Sequence, residues 1–86
     1  MNTLEAAKDF AKRNGFYSIK TFGEWRGQML YSFLRKKEDM GKYLGRPSLI
    51  VINKNGGAYL TDGGNFLDIV KETELDDDSE TYVIAS

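Results

Sequence analysis

Apolar residues recur at helical spacing near the start of the chain, and charged side chains fill the positions between them. The apolar positions are Leu4, Ala7, Phe10 and Ala11. Asn2 is a favoured N-cap residue, and the pair Asn14-Gly15 is typical of a helix end, because glycine readily takes the left-handed conformation required there. The pattern predicts one amphipathic helix that begins after Asn2 and ends at Asn14.

The next two segments have the alternation and the aromatic content of strands. Phe16–Phe22 is predicted as a strand, and Gly23–Gly27 as a turn bracketed by two glycines. Gln28–Lys36 fits either a strand with Met29 on the same face as two aromatic residues, or a short helix with an apolar stripe. We favour the strand, because aromatic residues suit a sheet and Gly27 is a poor opening residue for a helix.

The middle of the chain predicts a hairpin. Lys37–Arg46 is polar and is predicted as a long loop or a short helical turn, which Pro47 ends. Ser48–Asn53 contains four consecutive apolar residues, which is typical of a central strand covered on both sides. The run 53–57, Asn-Lys-Asn-Gly-Gly, is a strong turn signal, and Ala58–Thr61 returns as the partner strand.

The remaining residues predict a second helix and a last strand. Thr61 or Asp62 can cap a helix whose apolar face includes Phe66, Ile69, Val70 and Thr73. The acidic run Glu72–Glu80 ends this helix, and Thr81–Ile84 is the last strand. The predicted order is α-β-β-β-β-α-β. We expect one α+β domain over residues 1–86, with a mostly antiparallel sheet and two helices on one face.

The composition excludes several classes of function. Hydrophobic residues make up 41% of the chain and charged residues 29%, which is ordinary for a globular domain. The chain has no cysteine and no histidine, so the usual parts of a nucleophilic triad or a zinc site are missing. We expect no enzyme activity, no metal site and no cofactor. The longest apolar run, Leu49–Ile52, is far too short to span a membrane, and we expect a soluble cytoplasmic protein without a membrane partner.

Charge is divided unevenly along the chain. Residues 1–46 hold ten Lys/Arg and five Asp/Glu, whereas residues 47–86 hold two and eight. A basic segment that also carries aromatic residues can bind single-stranded nucleic acid. The residues for this alternative function are Lys20, Arg26, Arg35, Lys36 and Lys37. The isoelectric point of about 5.3 argues against it, since nucleic-acid-binding domains are commonly basic.

The main functional hypothesis is a non-catalytic protein-interaction or regulatory domain that associates with itself or with another protein. Two helices on one face would leave the other face of an aromatic-rich sheet uncovered, and an exposed apolar patch usually marks an interface. A symmetric homodimer that pairs this face, or that adds edge strands, would complete the small core. The expected interface residues are Tyr17, Trp25, Met29, Tyr31 and Phe33. The other strand register would instead uncover Phe16, Phe22, Leu30 and Leu34. In the competing interpretation, the loop Lys37–Arg46 covers this face through Met40, Tyr43 and Leu44.

Overall fold

The structure, a computed structural model, describes residues 2–39, 47–76 and 80–84. The first element is helix α1, Thr3–Arg13, and it confirms the predicted helix. The side chain of Asn2 accepts a hydrogen bond of 2.8 Å from the backbone N–H of Leu4, as expected of an N-cap. Gly15 follows the helix with φ of 72°, a conformation that favours glycine.

Six strands form one sheet. In chain order they are β1 Ser18–Trp25, β2 Gln28–Leu34, β3 Ile50–Ile52, β4 Ala58–Leu60, β5 Thr73–Leu75 and β6 Thr81–Val83. All pairings are antiparallel. The sheet order is β4-β3-β2-β1-β5. The last strand, β6, pairs with the first residues of β1, and β5 pairs with its last residues. A second helix, α2 (Phe66–Glu72), follows a short 3₁₀ turn, and another 3₁₀ turn lies at Lys37–Asp39.

The predicted fold class and element order are confirmed, with one additional short strand, β5, before the last one. Gln28–Lys36 contains β2 and is therefore a strand, not a helix. The first strand is displaced along the chain from the predicted Phe16–Phe22: β1 begins at Ser18 and continues through Gly23 to Trp25, and only Arg26 and Gly27 form the turn. These two residues have φ of 51° and 76°, which is the conformation of a tight hairpin turn.

The expectation that both helices lie on one face of the sheet is corrected by the packing. Alternate residues of β3 point to opposite faces: Ile50 packs with residues of α1, and Val51 packs with Ile69 of α2. The α1 face also buries Phe16, Ile19 and Tyr31, and the α2 face also buries Leu30 and Leu49. The four consecutive apolar residues 49–52 indicated a strand with two covered faces, and in the structure α1 covers one face and α2 the other.

The register of β1 shifts at its centre, where a bulge lies between Thr21 and Gly23. Beyond the bulge, Gly23 pairs with Leu30 of β2 on one side and with Leu75 of β5 on the other. A Cβ atom at Gly23 would collide with the carbonyl oxygen of Glu74, and only glycine allows β5 to approach this closely.

Candidate functional site

Three of the five predicted interface residues lie beneath α1. Tyr31 is only 2% exposed, and its hydroxyl is 3.0 Å from Oγ1 of Thr3 in the first turn of the helix. Met29 and Phe33 are half-buried against the same cluster. The ring of Phe33 stacks on that of Phe16, with centroids 4.1 Å apart. These side chains form part of the hydrophobic core.

The other two predicted interface residues lie elsewhere. Tyr17 precedes β1, and its backbone binds Leu34 on one side and Ile84 on the other. Trp25 packs on the α2 face, and its indole N–H donates a 2.9 Å hydrogen bond to Glu72. The five residues are thus divided between the two faces of the sheet and do not form one exposed surface.

The predicted cations are also divided. Arg26 lies in the turn of the β1–β2 hairpin and forms a 2.9 Å ion pair with Glu72. This pairing lowers the pKa of the Glu72 carboxyl from its ordinary value. Lys20, Arg35 and the exposed pair Lys36-Lys37 lie toward the opposite end of the hairpin.

Arg35 is held by aromatic rings. Its guanidinium lies 5.3 Å from the ring centroid of Phe16 and 5.4 Å from that of Phe33. These are the two rings that stack on each other inside the α1 cluster. The aromatic partners that a single-stranded base would need near Arg35 are therefore already occupied by packing within the domain.

The free edge of β4 is a surface that the sequence analysis did not identify. Among the described residues, β4 pairs with β3 on one side and ends the sheet on the other. Its three residues are Ala58, Tyr59 and Leu60, so the strand has no charge and no proline. Tyr59 is 46% exposed and Leu60 is 36% exposed. Edge strands are normally protected from pairing by charged residues, proline or bulges, and β4 has none of them.

The opposite edge of the sheet has a different character. It consists of β5 and β6, which pair with the two ends of β1. Glu74 lies within β5, and Asp76 and Glu80 follow β5 and precede β6. Charged residues discourage pairing with another chain, and so does the break between the two short strands of this edge. These features protect β5, whereas β6 itself carries no charged residue and its Val83 is 58% exposed.

A stripe of charged residues on α1 lies beside the hairpin that carries β4. Glu5, Asp9 and Arg13 are spaced four residues apart and line one hollow together with Gly56 of the β3–β4 turn. Asp9 and Arg13 form a 3.2 Å ion pair. The stripe is acidic toward the start of the helix and basic at its end, which also suits the helix dipole.

Within the described part of the chain, no group of three or more acidic, histidine or cysteine side chains is placed to hold a metal ion. No helix in this part is long and apolar enough to cross a membrane. No protein-family model, no curated protein and no solved structure matches this chain.

Proposed function

We propose that this chain is a self-associating interaction domain in which two copies join their β4 edges into one continuous sheet. The observation that carries the proposal is the unprotected, partly apolar edge of β4, where Tyr59 and Leu60 are exposed. The proposal keeps the self-association expected from the sequence and moves it from the aromatic face to this edge. The absence of cysteine fits a protein of the reducing cytoplasm.

A second copy is favoured as the partner because antiparallel strand pairing is compatible with a two-fold axis. With the axis perpendicular to the sheet and passing beside Tyr59, each Leu60 faces Ala58 of the other copy. Both copies of α1 then lie on the same face of the joined sheet and run antiparallel. The acidic start of the stripe in one copy faces the basic end of the stripe in the other, so Glu5 and Arg13 are arranged with complementary charge.

The exposed area of Tyr59 gives a scale for the interaction. A buried tyrosine removes ~150–250 Å² from water. Its 46% exposure leaves roughly 70–115 Å² to bury, or about 2–3 kcal/mol per copy at ~25 cal/mol per Å². Backbone hydrogen bonds add ~0.5–1.5 kcal/mol each, whereas association costs ~4–15 kcal/mol. We therefore expect a dimer of modest affinity, in the micromolar range or weaker.

Light scattering coupled to size exclusion, over a range of protein concentrations, tests the proposal. The unaltered chain is expected to form a dimer that persists at high salt, because apolar burial and backbone pairing are screened far less than surface charge. Tyr59→Lys is expected to give a monomer. Leu67→Lys is the matched control, because Leu67 is 50% exposed and belongs to α2 and not to β4.

Circular dichroism on both variants shows whether the fold is retained. A chain that is monomeric at every concentration would disprove the proposal. Equal dissociation of the Tyr59→Lys and Leu67→Lys variants would also disprove it, since the effect would not then be specific to the edge.

Single-strand nucleic-acid binding is the alternative outcome, and the exposed pair Lys36-Lys37 is the observation that favours it. It predicts backbone amide shifts at Lys36 and Lys37 on titration with oligonucleotides. These shifts weaken steeply with salt, and binding is lost in the double variant Lys36→Glu, Lys37→Glu. The edge proposal predicts a flat titration and a dimer that this double variant leaves intact.

A further inference from the structure

A cavity of about 230 Å³ lies on the part of the α2 face that α2 does not cover. It is bounded by β1, β2 and β6, with Pro47 at one end, and its accessible wall is mostly apolar. Leu34 and Pro47 form apolar parts of its wall, and Ser18, Ser32 and Thr81 contribute hydroxyl groups. Because β3 and β2 separate it from β4, this cavity is distinct from the proposed edge interface.

Ser18 provides a polar group at the floor of this cavity. The residue is only 2% exposed. Its hydroxyl forms no hydrogen bond with any residue that the structure describes. No fully enclosed polar side-chain atom in the described ranges lacks a partner, so the Ser18 hydroxyl keeps a small opening, and that opening is to the cavity. A buried hydroxyl without a protein partner is costly unless water or a ligand binds it.

Lys20 provides a cation at the rim. It lies on the same face of β1 as Ser18, two residues further along, and its side chain is exposed. It has no ion-pair partner within residues 2–39, 47–76 and 80–84. Among the described residues, Asp76 lines an adjoining hollow together with Lys20 and is one acidic group that would compete with an anion there.

We infer that this cavity binds a small aliphatic monocarboxylate. The carboxylate accepts hydrogen bonds from the Ser18 hydroxyl and the Lys20 ammonium, and the hydrocarbon chain packs on Leu34 and Pro47. Hexanoate is a small member of this class and is a suitable probe for a cavity of about 230 Å³.

Titration with sodium hexanoate, followed through backbone amide chemical shifts, tests this inference. Saturable shifts are expected at Ser18, Lys20 and Leu34, with a dissociation constant in the millimolar range. The titration is repeated with 1-hexanol, which has the same chain without the charge, and with sodium chloride at equal ionic strength. Hexanoate is expected to bind at least tenfold more tightly than hexanol.

Lys20→Met is expected to weaken hexanoate binding about tenfold and to leave hexanol binding unchanged. Ser18→Ala is expected to weaken hexanoate binding without displacing the shifts to another surface. Lys12→Met is the control, because Lys12 is an exposed lysine on α1, which packs on the other face of the sheet. Asp76→Asn is expected to tighten binding by removing the competing carboxylate.

The inference is overturned if hexanoate and hexanol bind equally, or if Lys20→Met binds hexanoate as tightly as the unaltered chain does. Shifts that follow ionic strength alone, or that spread over α1, overturn it as well. Leu60→Lys, which changes the β4 edge, is expected to bind hexanoate normally, so that failure of the dimer and failure of the ligand site are distinguishable.

Discussion

At Gly23 the backbone of β5 approaches β1 closely, and Gly23→Ala tests this contact directly. A methyl group at this position would meet the carbonyl oxygen of Glu74 and would lie 2.7 Å from Cγ2 of Thr73 and 3.0 Å from the carbonyl carbon of Glu74. Two of these three atoms belong to the backbone. Rotation of a side chain therefore cannot relieve the collision, and β5 has to move away from β1.

The expected magnitude is the balance of two effects. Overpacking of this kind costs ~1–3 kcal/mol. Alanine in place of glycine also lowers the conformational entropy of the unfolded chain, which raises the free energy of unfolding by ~0.4–1 kcal/mol. Gly23→Ala is thus expected to lower the free energy of unfolding by up to about 2.6 kcal/mol, and to be ~1–3 kcal/mol less stable than a glycine-to-alanine variant without the collision. The matched control is Gly64→Ala, whose methyl group would meet Asp62 at an ordinary 3.5 Å and which has no positive φ.

Urea unfolding measures the free energy of unfolding of both variants, and amide hydrogen exchange reports on β5 separately. Gly23→Ala is expected to be less stable and to lose protection at the amide of Asp76, which donates a backbone hydrogen bond to Phe22 of β1. Gly64→Ala is expected to be as stable as the unaltered chain or slightly more stable. If Gly23→Ala matches Gly64→Ala in stability and β5 keeps its protection, the reasoning is refuted.

Two further predictions concern side-chain contacts. Glu72 accepts hydrogen bonds from Trp25 and Arg26, and these lower the pKa of its carboxyl below the ordinary 4.5. Stabilisation by this group is therefore full above about pH 4.5 and is lost as the pH falls through the lowered pKa. Urea unfolding of Glu72→Gln and the unaltered chain should show a stability difference that narrows on acidification; a constant difference would argue against it. Tyr31→Phe removes the bond to Thr3 and should lower the free energy of unfolding by ~0.5–1.5 kcal/mol in the same assay, whereas no change would mean that the bond adds nothing.

Local signals along the chain predicted most of the elements. Asn2 and Gly15 mark the ends of α1 because capping depends on neighbouring backbone groups alone. The turn 53–57 was predictable for the same reason: the side chain of Asn53 accepts hydrogen bonds from Asn55 and Gly57 within the turn itself. An element whose ends are fixed by contacts between residues close together in the chain can be predicted from the sequence.

Contacts between distant residues were not predictable in this way. Gly23 was interpreted as a turn residue, but its role is to admit Glu74 of a strand that comes much later in the chain. The candidate interface was placed on the aromatic residues of β2 for a related reason. Alternation shows that Tyr31 and Leu30 face opposite ways, but only the positions of the helices show that both faces are covered.

The exposed position of Tyr59 and the cavity at Ser18 both depend on the order of the strands in the sheet. Nothing in the triplet Ala58-Tyr59-Leu60 identifies it as an edge, because an edge is defined by the absence of a neighbour. The sequence around Ser18 likewise does not show that this serine is buried, and only the structure does. The loop residues Met40, Tyr43 and Leu44, which the competing interpretation placed over the sheet, lie outside the described residues.

The pairing of β1 has a consequence for synthesis on the ribosome. One side of β1 is completed by β2, which follows immediately, but its other side is completed by β5 and β6, which are made much later. Until those residues emerge, the nascent chain presents β1 with one unsatisfied row of backbone groups. During that interval β1, and not β4, is the site most open to mispairing with a neighbouring nascent chain.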